Sequence, residues 1–161
     1  MMIRPFENRD ESAVWQILEP VIRAGETYVL PRDMSRDAAL AYWTAPEKSA
    51  FVAEAEGRLL GTYVLRANQL GGGSHVANCG YMTAAESTGR GVARAMCAHS
   101  LDEARARGFR AMQFNFVIST NHRAARLWQS LGFAIVGTLP GAFHHPMQGY
   151  VDAYVMYQDL R

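Results

Sequence analysis

Thr88-Gly89-Arg90-Gly91-Val92-Ala93 is the stretch on which the reading of this chain turns. It lies between a strand-like segment, His75–Met82, and a helical one, Gly91–Arg107. In the latter Ala93, Met96, Cys97, Leu101 and Ala104 form one apolar stripe. A strand-to-helix turn with two glycines lets backbone N–H groups point outward with no side chain in the way. The start of a helix adds partial positive charge, so a phosphate or pyrophosphate is the expected guest. Two common phosphate cradles do not fit. The P-loop string G-x-x-x-x-G-K-[ST] occurs nowhere in the chain. A dinucleotide fingerprint would need a third glycine where Arg94 stands, and it would lie near a first βαβ unit rather than mid-chain.

Outward from this turn the elements alternate. Met2 to Phe6 reads as a strand. Asn8 or Asp10 can cap a helix carrying Val14, Ile17, Leu18, Val21 and Ile22, which fails near Gly25. Ser35 to Trp43 is a second, shorter helix closed by Pro46. Ser49–Ala55 and Arg58–Arg66 are strands joined by the tight turn Glu56-Gly57, and Gly71-Gly72-Gly73 reads as a hairpin loop before His75–Met82. Beyond the central helix, stopped by Gly108, Phe109–Ile118 is a strand and Asn121–Leu131 a helix. Phe133–Thr138 and Tyr150–Tyr157 are the last strands. The order βααβββαβαββ predicts an α/β fold, a mixed sheet with helices on both faces, and one domain over 1–161.

A second motif follows one strand after the glycine turn: Asn121-x-x-Ala124-x-x-Leu127-Trp128-x-x-Leu131-Gly132-Phe133. It resembles the N-x-x-A-x-x-L-Y-x-x-x-G-F signature of the GNAT N-acetyltransferase superfamily. Gly91 and Ala93 likewise match the last two marked positions of that family's Q/R-x-x-G-x-G/A acyl-CoA turn. Thr88 stands where Gln or Arg is usual, so Arg90 or Arg94 would have to supply the charge. The likeness covers most of the chain and is strongest from about Val76 to Val136; before Ser49 only the element order matches. It implies acetyl-CoA as co-substrate, no metal, and a GNAT fold of mixed α and β structure.

The resemblance also assigns roles. The turn Thr88, Gly89, Arg90, Gly91, Val92 and Ala93 would hold the pyrophosphate. Splayed central strands would leave backbone groups of Met82 and Thr83 free for pantetheine, with an N–H near Met82 for the carbonyl oxygen. Asn121 would pair with a pantetheine amide or act as a plain N-cap. Ala124 would keep the helix small where the cofactor passes. Trp128 replaces the family's tyrosine; an indole N–H can donate a hydrogen bond but cannot act as an acid. It either shapes the thioester pocket or belongs to the core.

The strand before the turn holds no carboxylate to act as general base. Asn78 there, and Gln113 and Asn115 on the next strand, are amides suited to reading a polar acceptor, or else satisfied by neighbouring groups. Tyr28, in the Glu26–Pro31 loop, and Tyr150, just past the Gly141–Gly149 loop, offer aromatic walls for the acceptor pocket, and His145, within that second loop, is a candidate base there. His144 and His145, adjacent on a strand, would point to opposite faces, and His75, His99 and His122 show no chelating spacing, so a zinc site is not expected. Cys79 and Cys97 read as small buried residues.

Sixteen Lys and Arg against fifteen Asp and Glu leave a net charge of +1, which argues against a nucleic-acid partner or a polybasic membrane anchor. The start, MMIRPFENRD, lacks a signal peptide's apolar core, so the cytoplasm is expected. The tail Val136–Gly141 and Tyr150–Ala153 is similar to the branch holding yeast azetidine-2-carboxylate acetyltransferase, whose acceptors are small amino-acid-like amines. The expected activity is therefore acetyl transfer to a small amine by direct attack in a ternary complex. Acetylation of a protein N-terminus and a catalytically silent CoA-binding module stand as alternatives. Dimerisation is common in this fold, but no segment here specifies it.

Overall fold

Alternation along the strands decides which helix covers which face. In the computed structural model, which describes residues 1–161, the elements follow the expected order. β1 (Met2–Pro5) leads through a short 3-10 turn to α1 (Glu11–Ala24) and α2 (Arg36–Trp43). β2 (Ser49–Ala55), β3 (Arg58–Ala67) and β4 (Val76–Thr83) come next. α3 (Val92–Ala106), β5 (Ala111–Ile118), α4 (His122–Ser130), β6 (Ala134–His145) and β7 (Gly149–Asp159) complete the chain. The strands form one seven-stranded sheet in the order β1-β2-β3-β4-β5-β7-β6.

On β3, Tyr63 and Leu65 point to the α3–α4 side, where they join Cys79, Val92, Met96, Phe114 and Trp128. Val64 points the other way and meets Val14, Leu18, Ile22 and Trp43 of α1 and α2. Thr62 is fully buried on that second face, yet both its hydroxyl capacities are filled. It donates to Phe51 O at 2.8 Å and accepts from the indole N–H of Trp43 at 2.9 Å. β1 is fastened by Arg4, which forms ion pairs at 2.8 Å with both Asp10, at the entry to α1, and Glu54 of β2. No helix is long and apolar enough to cross a membrane.

The feature that positions the site is a failure of pairing. β4 and β5 run parallel and pair only at Val76–Ala111 and Ala77–Met112, after which they diverge. All other neighbours in the sheet are antiparallel.

One expected loop is not there. β6 runs on from the predicted Phe133–Thr138 strand to His145, so Gly141–Gly149 is mostly strand and tight turn. Pro140 and Gly141 look like breakers, but β6 is an edge strand, where a proline forfeits no ladder bond. A register irregularity between Leu139 and Phe143 absorbs them.

Candidate active site

The divergence of β4 from β5 opens a cleft of about 1000 Å³ that continues past the glycine turn and across the α1–α2 face. Gly89 (φ 85°) and Gly91 (φ 77°) adopt the left-handed conformation, and Gly91 caps α3. Thr88, Gly89, Gly91, Val92 and Ala93 line the cleft. Arg90 is exposed and lies outside it, so it does not supply the charge that Thr88 lacks. Three other arginines do stand there: Arg94 of α3, and Arg123 and Arg126, three residues apart on α4. A Cβ on Gly89 would lie 3.2 Å from the Arg123 guanidinium, so this cation rests directly against the turn. Arg94 donates to Ser130 Oγ at 2.8 Å. Ser87, 1% exposed, lines the same end and its hydroxyl has no partner. An orphaned buried hydroxyl, outward amides and three cations fit a pyrophosphate-bearing ligand.

Which backbone groups face the gap follows from the ladder with β3. Ala84 N–H donates to Leu60 O, and Asn68 N–H to Val76 O. With no irregularity between β3 and β4, the even-numbered residues of β4 are bonded to β3 and the odd ones face β5. Tyr81 O accordingly receives the phenol hydrogen of Tyr28 at 2.9 Å. The N–H groups of Tyr81 and Thr83 open into the gap. Met82 lines the cleft, but its amide belongs to the β3 ladder, so the expected donor shifts by one residue to Tyr81.

Tyr28 lines the cleft as expected, and burial raises its phenol above the ordinary value of 10. Its approach depends on Gly80: a Cβ there would sit 2.9 Å from the Tyr28 hydroxyl. Asn78 and Asn115 both reach the cleft. Asn78 Nδ2 bridges to Gln113 O at 2.9 Å, at the base of the divergence, and leaves its own oxygen free. Asn115 accepts from Gln113 Nε2 and donates to Asn68 Oδ1. Asn121 serves as N-cap of α4, its side chain accepting from Ala124 N–H at 3.4 Å, while it and Ala124 also line the cleft.

Trp128 unites the two roles considered for it. It is 8% exposed, with its ring centroid 5.0 Å from Tyr81 and 5.4 Å from Phe114, yet it forms part of the cleft wall. Its indole N–H has no protein acceptor. Cys79 also borders the cleft, and burial pushes its thiol up to about 12.

His145 and Tyr150 do not reach the site. His145 is buried at the end of β6, where Nδ1 accepts from the N–H groups of Met147 and Gln148 and closes the β6–β7 turn. Tyr150 is 77% exposed and stacks on His144. Lys48, Arg66, Tyr42 and Trp43 line the cleft instead, on the α1–α2 side. No Asp, Glu or His lines the cleft at all.

The sequence comparisons converge on the same reading. The model of the Acetyltransferase (GNAT) family matches residues 13–133. A GCN5-related N-acetyltransferase from Kribbella flavida superposes with a TM-score of 0.93 at 41% identity, covering 98% of this chain and 96% of that one. N-acetyltransferase aca1 of Schizosaccharomyces pombe is 27% identical over 168 residues, covering 92% of this chain and 80% of the relative. The structure of yncA from Salmonella typhimurium with its cofactor acetyl-CoA shares the fold, with a TM-score of 0.88 at 22% identity over 100% of this chain and 94% of that one. The chain belongs to the GNAT acetyltransferase family and is an acetyl-CoA-dependent N-acetyltransferase.

Proposed function

We propose that the chain acetylates the amine of a small molecule, an amino acid or amino-acid analogue, by direct attack with both substrates in one cleft. On this reading residues 1–161 act as a single domain. The observation that carries it is the continuity of the cleft from the glycine turn, through the β4–β5 gap, to a second end lined by Tyr28, Trp43 and Asn78. Direct attack is supported by the cysteines. Cys79 is the only thiol bordering the cleft, and it stays protonated because burial raises it to about 12. The two cysteines, both free and buried, suit the reducing cytoplasm.

Acetyl-CoA supplies a thioester whose carbonyl carbon accepts the amine and whose sulfur leaves with the bonding electrons. The amides at Gly89–Ala93, with Arg94, Arg123 and Arg126, hold the pyrophosphate. Backbone groups at Thr83, with Asn121 opposite, align the pantetheine arm. Tyr81 N–H donates to the carbonyl oxygen as negative charge develops there. Asn78 and Asn115 orient the acceptor, the free oxygen of Asn78 accepting from its amine. No side chain of the cleft serves as base. Lys48 and Arg66 instead disfavour a protonated amine nearby, so the proton passes to solvent before attack. Trp128 donates its indole N–H to the departing sulfur without surrendering the proton.

Thiol release from acetyl-CoA, measured across free amines, amino acids and peptides, tests this reading. Free amino acids or their analogues should be the acceptors, and Cys79→Ala should retain turnover without an acetyl-enzyme. Trp128→Phe should lower kcat by about threefold to tenfold, the range of one modest hydrogen bond. Acetyl-CoA binding without turnover of any free amine would defeat the proposal.

A further inference from the structure

The cleft holds its cations in two groups. Arg123 rests against the glycine turn, Arg94 lies in the first turn of α3 that follows it, and Arg126 lines the cleft three residues along α4, where a pyrophosphate accounts for them. Lys48 and Arg66 stand at the other end. Arg66 is paired across the ladder with Asn78, five residues before Thr83 on β4. At ~3.3 Å per residue, ~17 Å of strand separates the two positions.

Arg66 is half-buried, yet its guanidinium makes no hydrogen bond or ion pair with any protein group. Lys48, also half-buried, donates to Tyr42 O at 2.6 Å and lies 3.3 Å from the Tyr42 ring centroid, which leaves two of its donors unused. Glu47 is exposed and pairs with neither cation. Burial, and then the charge of Arg66, hold the Lys48 ammonium below its ordinary value, with the exposed Glu47 carboxylate opposing them in part. Two partly desolvated cations without an ion-pair partner, in a cleft that no carboxylate lines, are incomplete until an anion arrives.

We propose that Arg66, assisted by Lys48, seats a carboxylate carried by the acceptor, so that the substrate class is an anionic amine. The inference rests on the small-amine reading and makes it narrower. A planar fork of donors beside the Asn78 amide suits a carboxylate in bidentate pairing, and a polyamine or basic peptide tail would meet repulsion there.

The test compares each amino acid that turns over with its own carboxamide, in the wild type and in Arg66→Gln. The wild type should prefer the acid over the amide by about tenfold or more in kcat/KM, chiefly through KM. Arg66→Gln should bring that ratio close to one while the KM for acetyl-CoA stays put. Arg36→Gln, which removes an exposed positive charge that does not line the cleft, should leave the ratio unchanged. Lys48→Gln should lower it less than Arg66→Gln does. A second readout is independent of turnover: quenching of tryptophan fluorescence in CoA-loaded protein by N-acetyl-L-alanine and by its methylamide. Tighter binding of the acid, lost in Arg66→Gln, supports the seat even if no acceptor in the panel is turned over, in which case the small-amine reading alone fails. Equal handling of acid and amide by the wild type, in either readout, overturns the seat while leaving small-amine acetylation standing.

Discussion

Gly91 combines two demands that no other residue type meets. It caps α3 at φ 77°, a conformation that L side chains rarely adopt, and it lines the cleft, where a Cβ built on it meets only open space and so would narrow the opening rather than crowd the core. In Gly91→Val the left-handed conformation costs ~1–2 kcal/mol, and the branched side chain obstructs the amides of the turn. Affinity for CoA should fall more than tenfold in calorimetric titration, with melting lowered by only a few degrees. Affinity that survives would move the pyrophosphate away from this turn. At the same scale, the choice of Tyr81 over Met82 as the amide facing the gap was beyond reach of the residues alone. It depends on the register between β3 and β4, fixed by contacts such as Ala84 with Leu60.

At the scale of elements, β1 and the entry to α1 are held together by charge. Asp10 is 5% exposed, receives two hydrogen bonds from the Arg4 guanidinium at 2.8 and 2.9 Å, and accepts a third from Glu7 N–H. The Arg4 hydrogen bonds hold its carboxyl below the usual carboxylate range. A carboxylate depressed on folding contributes stability above its unfolded value near 4, and that contribution fades as pH falls through the lower folded value. Asp10→Asn should therefore destabilise the chain by about 1–3 kcal/mol at pH 7, with the gap to wild type closing below about pH 4 in urea titrations. An equal gap at pH 7 and pH 3 would remove the ion pair from the account.

Most elements were legible because their signals are local. Ser35 caps α2 through Ala38 N–H, Gly25 ends α1, and the stripe of α3 lands in the core. The extension of β6 was not legible, because Pro140 is tolerated only by virtue of lying on an edge. Nor was the approach of Arg123 to the glycine turn, since the path of β5 sets α4 beside it. His145 looked like a free base and turned out to close a hairpin.

For the whole molecule, a net charge of +1 conceals a strongly uneven distribution. Lys48, Arg66, Arg94, Arg123 and Arg126 share a cleft that no acidic side chain enters, while the fifteen carboxylates lie elsewhere. The sheet is also two plates that meet along a short seam. β1 to β4 make one, β5, β7 and β6 the other, and the ladder between them has two residue pairs, supplemented by the side-chain bonds of Asn78 and Asn115. On the proposed placement of the pantetheine arm, a substrate arm in that gap would act as a missing strand and share in the integrity of the fold. Backbone hydrogen exchange should register this: CoA should slow exchange at Tyr81 and Thr83 far more than at Met82, which already has its bond to β3. Equal slowing at all three would mean that the arm does not complete the ladder. Slowing confined to Tyr81 and Thr83 would tie the enzyme's grip on the cofactor to its own rigidity, and make loading itself a step of consolidation.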